Sequence, residues 1–154
     1  MATIPQDPQC KTPSSAERSI ETTLRGLEER LCGTPENLYD QALFLTLRDE
    51  LRSLHARLRI HQTAALRSEE LDASLARSPR LAETVKRLTA EQPLLLGNLD
   101  RLIRAADSIA DQSLEDRDVF ILRVKELIAT LRRHHAEEDR LTFLATWQDI
   151  GGES

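Results

Sequence analysis

The chain has 154 residues, enough for one domain whose core needs neither a disulfide nor a structural metal as a staple. Hydrophobic residues make up 40%, charged residues 31% and aromatics only 3%, a balance that disfavours sandwiches and barrels and points to leucine-packed helices. A net charge of −5, with the arginines interleaved among acids, excludes the basic footprint that binding to nucleic acid or an anionic membrane requires.

Residues 1–14 hold Pro5, Pro8 and Pro13 without apolar periodicity and read as a disordered leader; they lack the basic patch and apolar run of a signal peptide. A single helical domain is expected over 15–149. Its first helix opens at Ser14, spaced from Glu17 as a capping box, carries Ile20, Leu24, Leu27 and Leu31 at helical intervals, and stops at Gly33. Thr34-Pro35-Glu36 restarts the chain with a capping hydroxyl and a proline at the first helical position. The second helix has the seam Phe44, Leu47, Leu51, Leu54, Leu58, His61, Ala65, in alternating steps of three and four. No Gly or Pro sets its end, which falls anywhere between Arg67 and Arg77.

Ser78-Pro79 repeats the cap-then-proline signal and opens the third helix, whose seam runs Leu81, Val85, Leu88, Gln92, Leu95, Leu99, Leu102, Ala106, Ile109. Pro93 lies within it and predicts a kink near Glu91. Ser113 and Asp116 cap the fourth helix, with Phe120, Val124, Leu127, Leu131, His134, Glu138 and Leu141 on its seam and an end near Gln148. Phe143 and Trp147 are expected to close the bundle. Short connections make neighbouring helices antiparallel, so the expected fold is an all-α, antiparallel up-down bundle of four helices, the first short.

Three of these seams carry polar residues where leucine belongs: Gln92, His134 with Glu138, and either His55 or His61. Gln92 lies twenty residues before the turn near residue 112 and His134 twenty-two after it, which sets them at one height in an antiparallel pair. On the second helix that height falls near His55 if the helix ends at Arg67 and nearer His61 if it runs to Arg77. The first helix is expected to stop short of this layer. A carboxylate and an imidazole in a core cost several kcal/mol unless compensated. A metal ion held from several helices is one compensation. A hydrogen-bonded layer that sets register, with an arginine such as Arg59 neutralising Glu138, is the other.

The stretch His134-His135-Ala136-Glu137-Glu138-Asp139-Arg140-Leu141-Thr142-Phe143 resembles the last-helix motif of hemerythrin-like (HHE) cation-binding domains, and Leu88-Thr89-Ala90-Glu91-Gln92-Pro93-Leu94 resembles their third-helix segment. The resemblance spans about residues 34–148 and implies an antiparallel four-helix bundle of the hemerythrin-like kind around a non-haem di-iron or similar centre. It implies His134, Glu138 and His55 as metal ligands, with iron, manganese or zinc as candidate ions or no ion at all. The chain departs from the pattern at Gln92, where a ligand His is usual, at Arg59, where the second helix would offer Glu, and in the first helix, which has no His.

Cys10 and Cys32 form neither a disulfide framework nor a CxxC pair, and no phosphate loop or nucleophile elbow is present, so a non-enzymatic, cytoplasmic protein is expected. No segment is long and apolar enough to span a membrane. Three functions follow from these residues: a bundle holding one metal ion in a degenerate site; a non-catalytic interaction or scaffolding bundle with a protein partner and a structural polar layer; and a pH-responsive element built on His134 and His135. The partner and the oligomeric state are not written in the sequence.

Overall fold

The computed structural model describes residues 15–32, 41–65, 76–109 and 113–151. Among these the regular structure is four helices and no strand: α1 (Ser15–Leu31), α2 (Gln41–Ala65), α3 (Pro79–Ser108) and α4 (Leu114–Gly151). The leader 1–14, the Ser14 cap, the Thr34-Pro35 restart and the undecided end of the second helix over 66–75 lie outside the described residues.

Two helix starts follow the local chemistry of the chain. Ser78 is extended (φ −134, ψ 107) with Pro79 beginning α3, and its carbonyl accepts from the Ala82 amide at 3.2 Å; its hydroxyl makes no cap bond. At α4 the Ser113 hydroxyl accepts from the Asp116 amide at 3.3 Å and donates to the Asp116 carboxylate at 2.9 Å, a reciprocal cap. Helix α3 continues through Pro93, although the proline denies the Thr89 carbonyl its usual partner. Helix α4 extends three residues past the expected end at Gln148, to Gly151.

The seams bury as their spacing requires. Ile20, Leu24, Leu27 and Leu31 of α1 meet Phe44, Leu47, Leu51, Leu54 and Leu58 of α2, and these join Leu95, Leu99 and Leu102 of α3 and Phe120, Val124 and Leu131 of α4 in one core. Helix α2 packs on α1 and α3, and α3 on α4, whereas α1 and α4 touch sparsely. Phe44 and Phe120 close one end with tilted rings 5.9 Å apart. Phe143 does not close the other: it is 53% exposed, and the side chain of Trp147 lies outside the described residues.

Beyond this core, Leu81, Leu88 and Leu141 form a second, smaller cluster with Val85 packed on it. Gln92, His134 and Glu138 lie between the two along their helices, so the polar residues interrupt the core instead of decorating its edge.

Ion pairs connect the helices on the outside. Arg30 meets Glu50 at 2.6 Å (α1 to α2), Arg48 and Arg52 meet Asp107 at 3.3 and 3.4 Å (α2 to α3), and Arg87 meets Glu137 at 2.7 Å (α3 to α4). Arg132 reaches from α4 to both Glu21 and Glu28 of α1, across a sparse contact. Each such pair contributes at most about 1 kcal/mol in water, so the leucine seams carry the stability. No helix among the described residues is long and apolar enough to cross a membrane.

Leu131→Ala should therefore cost about 2–5 kcal/mol in urea unfolding, since Leu131 is fully buried in the main core. Gly97→Ala should stabilise by about 0.5–1 kcal/mol, because a Cβ at this helical position meets nothing within 4 Å.

Candidate metal centre

The polar layer assembles from α2, α3 and α4. His61 follows Leu58 by three residues on the α2 seam and is buried beside it. Its Nε2 lies 2.9 Å from Glu138 Oε2 in hydrogen-bonding geometry. From α4 itself, one turn before Glu138, His134 sets its Nε2 2.6 Å from Glu138 Oε1. That approach is off the line a hydrogen bond needs, and neither atom makes a hydrogen bond among the described residues. The other ring nitrogen of His134, Nδ1, is 3.0 Å from Glu91 Oε2 of α3 in good geometry. His135 completes the group: its Nδ1 is 3.8 Å from Glu138 Oε2, and its ring lies edge-on to His61 with centroids 4.9 Å apart.

His61, His135 and Glu138 each offer one ligand atom, and these atoms lie within 4.8 Å of one another. Donors around a tetrahedral ion with bonds of about 2.0–2.2 Å stand about 3.3–3.6 Å apart, so a closure of up to about 1.5 Å brings the three into a coordination shell. Two imidazoles and one carboxylate from two helices suit iron, manganese or zinc. The residues therefore fit a mononuclear ion.

Of the ligands expected from sequence, the structure brings His134 and Glu138 together. His55 is not part of the group. It precedes His61 by six residues, which turns it about 120° around the helix and away from the seam, and it is only half-buried. The level of the layer on α2 is given by Gln62, whose amide donates to the Gln92 carbonyl at 3.4 Å. Arg59 is exposed, and imidazoles stand against Glu138 in place of the guanidinium that one of the two expected compensations would supply. Helix α1 does not stop as far short as its length suggested, since Arg57, one turn before His61, hydrogen-bonds Thr23. Gln92 is buried, with its amide nitrogen making no hydrogen bond among the described residues.

The residue that sequence reasoning passed over as a ligand is His135. A signal existed: Ile121, Ile128 and His135 recur every seven residues, and both isoleucines are buried. Cys32 is an exposed free thiol at the end of α1 and takes no part in the layer. A separate open groove of about 650 Å³ between α3 and α4, floored by Leu102, Ile109, Phe120 and Leu127, contains none of the layer residues.

The electrostatics are those of a buried carboxylate held charged. Burial acts to raise the Glu138 pKa, but polar contacts with His134 and His61 and the charge on His135 and His134 outweigh it, lowering the pKa from 4.5 to about 2. For His134, burial acts to lower the pKa, and the Glu138 and Glu91 carboxylates reverse this, raising it above 6.5.

Comparison of the chain with protein-family models, with curated proteins and with solved structures finds no match.

In chelator-treated protein, Glu138 contributes stability above about pH 4.5 that is lost as the pH falls towards 2, and His134 contributes stability below about pH 6.5 that is lost as the pH rises through its elevated pKa. Urea unfolding of wild type and Glu138→Gln should therefore differ most between about pH 4.5 and 6.5. The difference should shrink on either side.

Proposed function

We propose that this protein is a hemerythrin-like, antiparallel up-down helical bundle that binds one non-haem metal ion in the layer formed by His61, His134, His135 and Glu138. The observation that carries this reading is the convergence of the His61, His135 and Glu138 donor atoms to within 4.8 Å inside a layer that splits the hydrophobic core. Side-chain contacts support the antiparallel order: residues 23 and 30 of α1 meet 57 and 50 of α2, and residues 87 and 91 of α3 meet 137 and 134 of α4. The off-line approach of His134 Nε2 to Glu138 Oε1 supports it further, because two buried donor atoms without hydrogen bonds are the pattern an ion resolves.

The departures from the hemerythrin-like pattern point to one ion and not two. Gln92 offers an amide where that family usually has an imidazole, and the exposed Arg59 supplies no second-helix carboxylate. Iron(II), manganese(II) and zinc(II) all accept two or three imidazoles with one carboxylate. Binding would release the proton that His134, with its raised pKa, otherwise holds against Glu138 and Glu91.

A second reading is favoured by one contact. The His61–Glu138 hydrogen bond joins α2 to α4 without any ion, and a layer so satisfied can serve a non-catalytic interaction bundle by holding its register.

Elemental analysis of protein purified without chelator or histidine tag distinguishes the two. Near-stoichiometric iron, manganese or zinc is expected in wild type and in His55→Ala, with loss in His61→Ala and Glu138→Ala. Wild-type protein that stays metal-free after anaerobic incubation with ferrous iron, manganese and zinc salts would leave the layer a structural device.

A further inference from the structure

His134 lies between two carboxylates, and its two ring nitrogens meet them differently. The Nδ1 to Glu91 Oε2 contact, at 3.0 Å, has the geometry of a hydrogen bond, whereas the Nε2 to Glu138 Oε1 contact, at 2.6 Å, does not. A neutral imidazole carries a single proton, and the proton resides on the nitrogen with a correctly placed acceptor. By that rule the proton of the neutral ring belongs on Nδ1, which leaves Nε2, the atom facing Glu138 Oε1, without one.

Glu91 is itself held in place. It sits on α3 with its side chain 38% exposed, its Oε2 on His134 and its Oε1 3.9 Å from the Arg87 guanidinium. Arg87 in turn reaches Glu137 of α4 at 2.7 Å, so the same two helices are tied on both sides of the His134 ring. With the histidines neutral, Glu138 and Glu91 bring two negative charges to the layer, the complement of a divalent cation.

From this geometry we infer that Glu91 is a positioning residue for the metal centre, accepting the Nδ1 proton of His134 so that Nε2 is presented to the ion. The inference rests on the metal reading above. A carboxylate hydrogen-bonded to the far nitrogen of a ligating imidazole fixes its tautomer and raises its basicity, and losing such a partner typically weakens metal binding about 10–100-fold.

Two measurements test this, one of which needs no metal. In chelator-treated protein, at a pH above the titration of His134, long-range ¹H–¹⁵N NMR should find its proton on Nδ1 in wild type and redistributed towards Nε2 in Glu91→Ala. In competition with a chromophoric chelator, Glu91→Ala should bind Zn²⁺ about 10–100-fold more weakly than wild type. Glu91→Gln, whose amide oxygen still accepts the Nδ1 proton, should recover most of that loss, and at a pH above the titration of His134 the metal-free unfolding midpoints of both variants should stay near wild type. Equal Zn²⁺ affinity in Glu91→Ala and wild type would overturn the role of Glu91 while leaving the metal reading intact. Wild-type protein that binds no Zn²⁺, Fe²⁺ or Mn²⁺ would overturn the metal reading and with it the role of Glu91 at a metal centre, whereas a wild-type proton on Nε2 would overturn the role of Glu91 alone.

Discussion

A charged carboxylate in the middle of a leucine-packed bundle is the constraint on which the rest of this structure depends. Glu138 is 6% exposed and still ionised at neutral pH, with its pKa lowered to about 2. Such a group, left without compensation, costs several kcal/mol. The compensation arrives from three directions: His61 across the bundle, and His134 and His135 from the same helix. Each of those imidazoles would itself be costly among leucines, and each is tolerable because of Glu138. The layer is thus a mutually dependent set, and removing one member exposes the others to the full cost of burial.

This dependence shapes the packing around it. Leucine seams repeat every three or four residues, and a helix slid by one turn meets another leucine with modest loss. A hydrogen bond from His61 to Glu138 permits no such slip, since one turn of displacement carries the donor about 5.4 Å from its acceptor. The layer therefore sets the height of α2 against α4, with the Gln62 bond to Gln92 setting α2 against α3. It also divides the core into a large cluster and a small one. The surface ion pairs follow this register and do not create it, being exposed and individually weak.

Protons and the proposed metal ion would compete for the same atoms in this layer. Burial acts to lower the His134 pKa and the Glu138 and Glu91 carboxylates beside its two ring nitrogens raise it, and the same carboxylates would attract a divalent cation. Either compensation would satisfy the buried charge, which is why the structural reading and the proposed metal centre draw on the same residues. The outward face of the layer, where Glu91 and Arg87 meet solvent, links the buried imidazole to the surface.

The division between what is local and what is tertiary runs through particular residues. Helical periodicity is written into consecutive residues, so the sequence alone determined the four helices, their buried seams, the Ser78-Pro79 and Ser113-Asp116 starts, and the pairing of His134 with Glu138 one turn apart. Whether His55 or His61 joins that pair depends on how far α2 slides along its neighbours, a quantity set by interhelical packing, and only the tertiary structure decided it. The same holds for His135, since a helix that buries two adjacent stripes looks, in sequence, like one seam beside a polar face. Phe143 and Arg59 show the converse: an aromatic at a helix end and an arginine near the layer are read as inward from their chemistry, yet both are exposed. The direction a side chain takes follows from the neighbours that surround its helix, and those neighbours are distant in the chain.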